Sequence, residues 1–392
     1  MVVLLIITPI AAASGFVSAY EEQPGDTAHE IIDIMISCGF ENVTAFTLSD
    51  TLIVEYENRI YFRERDAIRI IIAKTMDAAR EIQTLILVPK RDNVPLLRIT
   101  VSRDDYLDCT KNDDIIDKLE TSQEATITDY DGANNSSVGK IDIILYPTFD
   151  SSLGRFSDPF MYRLAISPEF CIRLGKGIRG SAQVHFVLHD EIEAKYRRKR
   201  VGFSRLCLDY TYRTSASAFM NLGGGYFGDN RYGLASEVLF LGWGNRIGIG
   251  GTAAWLSNIY YWDNTLHYTK LWKWTALANL QYRLPYLNLL LTTRLGTFLY
   301  QDRGVSVEVT RFFRNTGLTV FAAKTSDGSI GGFEVQFLTY PRRHPVPHRV
   351  RVRLPTMLNV QYRYKENGVG TMFSPGYDID YTTDSFWLMD IE

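Results

Sequence analysis

The chain has 392 residues, a formal charge of -3 and a mean hydropathy of -0.10. A helical membrane protein would be far more apolar and a nucleic-acid binder strongly basic, so neither class fits and no nucleic-acid partner is expected. The 23 Tyr, 21 Phe and 29 Gly suit long strands flanked by aromatic girdles.

Residues 2–13 form a short apolar run, and Val17-Ser18-Ala19 supplies the small residues that signal peptidase reads. Residues 1–19 are therefore expected to be a signal peptide cleaved after Ala19. The competing reading, an N-terminal membrane anchor, is weakened because the run is shorter than the ~20 residues a spanning helix needs. Beyond Ala19 no apolar stretch reaches about 18 residues, which suits passage to a Gram-negative outer membrane.

Residues 25–103 read as a small α+β domain. A helix over 27–38 is closed by Gly39; strands follow at 43–48 and 51–56 around a Ser49-Asp50 turn, with 59–63 as a candidate third. A second helix over 66–80 precedes strands 83–89 and 96–101 around Asp92-Asn93. Such a domain is expected to lie in the periplasm. Residues 104–146 read as a polar linker, whose Asp129-Tyr-Asp-Gly-Ala-Asn-Asn-Ser-Ser piece lacks the acidic spacing and terminal Glu of a calcium loop.

Residues 147–365 carry the main signal. Ile178, Gly180, Ala182, Val184, Phe186 and Leu188 alternate with Arg179, Ser181, Gln183, His185 and His189. Leu206, Leu208, Tyr210 and Tyr212 alternate with Arg205, Cys207, Asp209, Thr211 and Arg213. The same script recurs at 276–283 and 358–363. Side chains on a strand point alternately to opposite faces, so one face is greasy and the other wet. Segments of about 10 residues match a tilted strand crossing hydrocarbon, whereas sandwich strands are shorter. About twelve strands are expected, near 161–174, 178–189, 203–213, 215–226, 232–241, 246–256, 273–284, 287–299, 304–312, 316–324, 331–340 and 357–365. The fold class is thus mainly β: a transmembrane antiparallel barrel of about twelve strands behind a small periplasmic α+β domain, with 366–392 as a C-terminal tail. Short turns at 315–316 and 327–329 contrast with longer connections at 190–200 and 260–271. Trp243, Trp255, Trp262, Trp272 and Trp274 gather in sequence around one connection, as interface anchors would.

The wet face carries Arg163, Arg173, Arg179, Arg205, Arg213, Arg283, Arg294 and Arg363 against Glu169, Asp209, Glu237, Glu308 and Glu334. A mildly basic lumen results, and guanidinium forks suit carboxylates, so an acidic polysaccharide is a sensible cargo and the first seven of these arginines are candidate glycan contacts. The competing reading is that these charges pair with one another and plug a narrow barrel. No GxSxG, HExxH or glycine-rich phosphate loop occurs. Glu308 with Glu334, or Asp378 with Asp380, could be imagined as an acid/base pair, but such residues are more often solvated or ion-paired, so no enzyme is expected. The four cysteines show no metal spacing, and neither metal nor cofactor is expected. Cys38 and Cys109 could bridge in an oxidising compartment or remain two small thiols.

The stretch PTFDSSLGRFSDPFMYRLAISPEFCIRLGKGI from Pro147 includes Pro-Phe-Met-Tyr-Arg at 159–163; downstream lie Gly-Val-Ser-Val-Glu-Val-Thr-Arg at 304–311 and Gly-Gly-Phe-Glu at 331–334. In order and spacing these resemble the YjbH family of outer-membrane proteins associated with exopolysaccharide production, over about 25–365. The resemblance implies a non-catalytic part in producing, secreting or assembling an extracellular polysaccharide, with outer-membrane lipid and other exopolysaccharide-system proteins as partners. A general porin-like channel and a secreted glycan-binding β-sandwich are the alternatives.

Overall fold

The computed structural model describes residues 26–109, 115–122, 134–153, 160–191, 201–215, 217–228, 230–243, 246–262, 265–271, 273–313, 316–339, 343–346, 348–364 and 370–372. The expected signal peptide, the Asp378/Asp380 pair and most of the expected tail lie outside them.

The N-terminal unit is built from helix α1 (Asp26–Ser37), strands β1 (Glu41–Leu48) and β2 (Thr51–Glu57), helix α2 (Glu64–Ala78), and strands β3 (Thr84–Arg91), β4 (Val94–Pro95) and β5 (Arg98–Ser102). Helix α3 (Arg103–Asp108), a 3-10 turn (Ile115–Lys118) and strand β6 (Glu120–Ser122) follow. The strands hydrogen-bond in the order β1-β2-β3-β5-β6. Strands β2 and β3 are parallel, and α2 makes the crossover that a parallel pair requires. Ile31 and Met35 of α1, Ile68, Ile71 and Ile72 of α2, and Leu52, Val54 and Tyr56 of β2 are fully buried together. The other parity of β2 and β3 sets Glu55, Glu57 and Lys90 on the opposite sheet face. That face is polar, yet Glu55 and Glu57 are 3% and 2% exposed. Something must cover it.

The cover is a second, larger sheet. Its strands are β7 (Ile141–Leu153), β8 (Phe160–Gly175), β9 (Ile178–Asp190), β10 (Val201–Ser215), β11 (Ala218–Gly228), β12 (Arg231–Gly242) and β13 (Ile247–Trp262). Then come β14 (Thr265–Tyr268), β15 (Lys273–Leu284), β16 (Leu289–Thr297), β17 (Arg303–Phe312), β18 (Thr316–Thr325), β19 (Gly328–Leu338), β20 (Val350–Arg353) and β21 (Met357–Tyr364). From β7 to β19 it is an antiparallel meander, with β14 folded back on β13 as a hairpin extension and β21 added antiparallel to β19. Strand β20 pairs in parallel with β7, at the other edge. No ladder joins β20 to β21 among the described residues, so the sheet is open. The chain nevertheless steps from one edge to the other across 354–356. Residues of β7–β9 and of β15–β17 line one cavity, so the sheet curls until distant strands face each other.

The alternation read from the sequence is realised inside out relative to a soluble sandwich. On β10, Leu206, Leu208 and Tyr210 are 57%, 53% and 43% exposed, while Cys207, Asp209 and Thr211 are buried. On β15, Leu280 faces out and Thr275, Asn279, Gln281 and Arg283 face in. A bulge between Phe203 and Arg205 resets the parity, which keeps Val201 and Phe203 on the outer face with Leu206.

All twelve expected strands are present within a few residues, and three more appear. Residues 104–146 are not a plain linker: they hold most of α3, the 3-10 turn, β6 and the start of β7. Pro147 within it, and the polar stretch that ends at Lys140, masked β7; beyond Ile144 that strand has a single neighbour among the described residues, and edge strands tolerate proline. Residues 59–63 do not form a strand; Tyr61 makes only an isolated bridge to Arg343. Cys38 and Cys109 are both free thiols. The tryptophans divide between two levels: Trp243 lies on the β12–β13 turn, whereas Trp255 pairs with Trp274 across strands near the other end. All three are at least half exposed.

Candidate polar cavity and interdomain clamp

One end of the curled sheet carries the short connections 176–177, 216–217, 243–246, 285–288 and 313–315, together with the longer return from β19 through β20 to β21. The N-terminal unit packs here. Phe219, Leu239, Leu241 and Leu290, inward residues at this end of β11, β12 and β16, join the same apolar cluster as the helices and strands of the N-terminal unit, with Phe312 of β17 packed against it. Apolar inward residues are misplaced in an aqueous lumen; covered by a domain they are core.

Backbone contacts reinforce the fit. Gly177 in the β8–β9 turn donates its N–H to Asp92 O at 2.7 Å and accepts from Thr211 N at 2.8 Å. Gly177 has φ +70°, and a Cβ there would stand 1.9 Å from Thr211 O, so only glycine fits this junction. On the far side of the unit, His344 donates its N–H to Ile60 O at 2.7 Å.

Between the polar face of the small sheet and the polar face of the large one lies a cavity of 540 Å³. Its organising residue is Asp142 of β7. Arg351 of β20 grips both oxygens, Nε to Oδ1 at 2.8 Å and Nη2 to Oδ2 at 2.7 Å. Arg59 of the N-terminal unit lies 2.8 Å from the same carboxylate and 2.5 Å from Glu41. Arg353 and Arg173 stand further off, at 3.6 and 3.9 Å. Arg173 Nε lies 2.6 Å from Asp92 and 3.6 Å from Glu57. Lys140 Nζ reaches Glu41 at 2.5 Å. A carboxylate or guanidinium this deeply buried would be costly alone and is stable only in such company. Within the N-terminal unit, burial pushes the Glu57 and Glu64 carboxyls up from their ordinary values, offset by Arg173 for Glu57 and by Asn58 and Tyr56 for Glu64. Burial, aided by Arg353 and Arg351, pushes the His344 imidazole down to about 4.

Of the arginines singled out from the sequence, Arg173, Arg179 and Arg294 line this cavity. Arg294 Nη1 donates to Glu308 at 2.7 Å, and Arg205 lies 3.5 Å from Glu169. Arg283 is buried. Arg213 is taken up by the domain junction: Nη1 donates to Pro95 O at 3.4 Å, and its guanidinium lies 5.5 Å from the Phe219 ring centre. Arg163 sits at the opposite end of the sheet, across from Asp190. The Arg363 backbone pairs with Gly332; its side chain lies outside the described residues. Glu334 accepts hydrogen bonds from Gln336 and Gln361, so Glu308 and Glu334 each have their own partner.

The residues missed from the sequence are Arg59, Asp142, Arg351 and Arg353. A signal for two of them was present. Arg349, Arg351 and Arg353 alternate with Val350, Val352 and Leu354, the same wet and greasy script as elsewhere, and those three apolar side chains are exposed on the outer face.

At the other end, Gly370–Met372 returns to the sheet: Gly370 donates its N–H to Asp302 Oδ2 at 2.8 Å, and Leu299 donates to Thr371 O at 3.0 Å.

Among solved structures, the chain is similar to a loop L8 deletion mutant of OmpT, an outer membrane protein of Vibrio cholerae, at 11% identity and a TM-score of 0.29, covering 51% of this chain and 89% of that one. No curated protein matches in sequence. The family model for YjbH, described as "Exopolysaccharide biosynthesis protein YbjH", matches residues 17–336. The match spans the N-terminal unit and most of the large sheet, and the chain therefore belongs to the YjbH family of exopolysaccharide biosynthesis proteins.

Proposed function

We propose that this chain is an outer-membrane β-barrel protein of a Gram-negative cell that takes part in secreting or assembling an extracellular polysaccharide, without chemistry of its own. The observation that carries the reading is the inverted sheet: exposed Leu, Phe, Trp and Tyr on the outside, buried Arg, Asp, Glu, Asn and Gln on the inside. In water that arrangement wastes its apolar surface; in lipid it is what a spanning strand needs. The N-terminal unit sits at the end where most connections are short, the periplasmic end in such barrels, so the domain faces the periplasm and seats itself as a plug. Passage of a chain then requires the plug to shift, and the charged clamp around Asp142 is what it must release. The barrel closes at the seam between β7 and β21, because unpaired strand edges do not persist in hydrocarbon. The acidic side chains nearest to a catalytic pair serve as partners for arginine and glutamine, which supports a role in binding and passage.

Envelope fractionation tests the location: the mature protein should sediment with outer membrane and run at different gel mobility before and after boiling. Recovery as a soluble periplasmic or secreted species would end this reading. Deleting the gene should lower released or surface polysaccharide; unchanged polysaccharide with general loss of small-solute permeability would mark a porin.

A further inference from the structure

The cavity between plug and wall is more than a seam of matched charges. Eight cationic side chains and five carboxylates line it, and Glu41, Glu55 and Asp92 at its border pair with Arg59, Lys90 and Arg173. The N-terminal unit contributes Arg59, Lys90 and Arg91; the wall contributes Arg173, Arg179, Arg294, Arg351 and Arg353. A guanidinium carries five N–H donors and a carboxylate accepts about four hydrogen bonds, so arginines matched one to one with carboxylates still keep some donor capacity for an incoming anion. Around Asp142, Arg351 and Arg59 occupy the carboxylate oxygens, Arg353 stands at 3.6 Å, and Arg173 at 3.9 Å turns its Nε to Asp92 at 2.6 Å.

Between the charges lie side chains of another kind. Gln281, Thr292, Thr310, Gln336 and Asn359 line the same cavity, supplying amides and hydroxyls that both donate and accept. A volume of 540 Å³ falls within the range of ligand pockets, roughly 300–1,000 Å³. Guanidinium forks for carboxylates, set among hydroxyls and amides for sugar hydroxyls, describe one ligand chemistry.

We propose that this cavity is a binding site for a short segment of a carboxylate-bearing oligosaccharide, held by Arg179 and Arg294 of the wall with Arg173 and Arg353 beside them. The proposal rests on the exopolysaccharide reading and names the chemical class of the sugar chain. Binding there places an anion against the guanidiniums that grip Asp92 and Asp142, so cargo competes directly with the plug for its clamp.

The test uses the full-length protein in detergent and isothermal titration calorimetry with trigalacturonate, maltotriose and inorganic phosphate. Trigalacturonate should bind at least tenfold more tightly than maltotriose, with affinity falling between 50 and 300 mM salt. The double variant Arg179→Gln, Arg294→Gln, verified as folded by heat-modifiable mobility, should weaken trigalacturonate at least tenfold. Equal binding of maltotriose, phosphate binding as tight as trigalacturonate, or an unaffected double variant each overturns the proposal. If the double variant does not fold, the wild-type comparison of the three ligands decides alone. The two readings fail separately: loss of polysaccharide on gene deletion without trigalacturonate binding sinks the site and spares the export role, whereas binding with normal polysaccharide in the deletion strain does the reverse.

Discussion

Arg351 and Asp142 are 209 positions apart in the chain and meet as a two-pronged ion pair at 2.8 and 2.7 Å, tying the edge strand β20 to β7, the first strand of the large sheet. Arg351 Nη1 also donates to Arg59 O at 2.7 Å, so one guanidinium ties two neighbouring strands at one edge of the wall to the N-terminal unit.

Removing the anion should hurt more than removing one cation. Asp142→Ala leaves Arg59, Arg351, Arg173 and Arg353 crowded around an empty centre, at a cost of about 3–5 kcal/mol. Arg351→Ala should cost less, because Arg59 still pairs with Asp142. Urea titration of the folded protein in detergent should show the double mutant less destabilised than the sum of the singles; additive costs would mean the two side chains do not share one network.

The outer face is tested on β10. Leu208, at the middle of that strand and 53% exposed, should tolerate lipid-incompatible charge poorly: Leu208→Arg costs roughly 2–4 kcal/mol if it faces the bilayer midplane. Gln361→Arg is the inward control, since Gln361 already hydrogen-bonds Glu334 and the new cation would pair there, with an effect within about 0.5 kcal/mol. Equal effects in folding titrations would deny that the outer face meets lipid.

The seat of the plug depends on Arg173. Arg173→Gln leaves Asp92 and Glu57 buried without their shared guanidinium, a loss of about 3–5 kcal/mol concentrated at the domain junction. Limited proteolysis should then cut the N-terminal unit faster while the wall stays resistant. Unchanged cleavage would show that the apolar contacts at Phe219, Leu239 and Leu290 hold the unit by themselves.

Acid should loosen the clasp between His344 and Ile60. The imidazole is pushed down to about 4 by burial and by Arg353 and Arg351, against an unfolded value near 6.5, with Asp142 the facing group that favours its charged form. Between those values the unfolded chain binds the proton and the folded one does not, so this contribution is complete above pH ~6.5 and drains away as pH falls toward 4. Glu57 and Glu64 work in the other direction, since their raised values relieve a burial penalty as pH falls. The discriminating measurement is therefore a difference: His344→Gln should flatten the loss of Tm between pH 6.5 and 4 relative to wild type, and parallel curves would remove His344 from the account.

The wall was legible because a strand's side-chain period is two and one parity is apolar along most of its strands. Leu206, Leu208 and Tyr210 against Cys207, Asp209 and Thr211 declared both faces before any fold was known. The N-terminal helices were equally readable, since Ile31, Met35, Ile68 and Ile72 recur at helical spacing. The family resemblance, carried by 159–163, 304–311 and 331–334, also came from sequence and agrees with the family match.

What the sequence could not declare was the pairing of charges across distance. Parity puts Arg173 and Arg213 on the wet face, yet parity says only which face a side chain takes and nothing about what lies opposite. That the opposite body is the chain's own N-terminal unit, that Asp142 is the hub, and that β20 and β21 straddle both sheet edges follow from curling one sheet around another. Such contacts join residues hundreds of positions apart, and each buried ion there is stable only once the fold has brought its partners together.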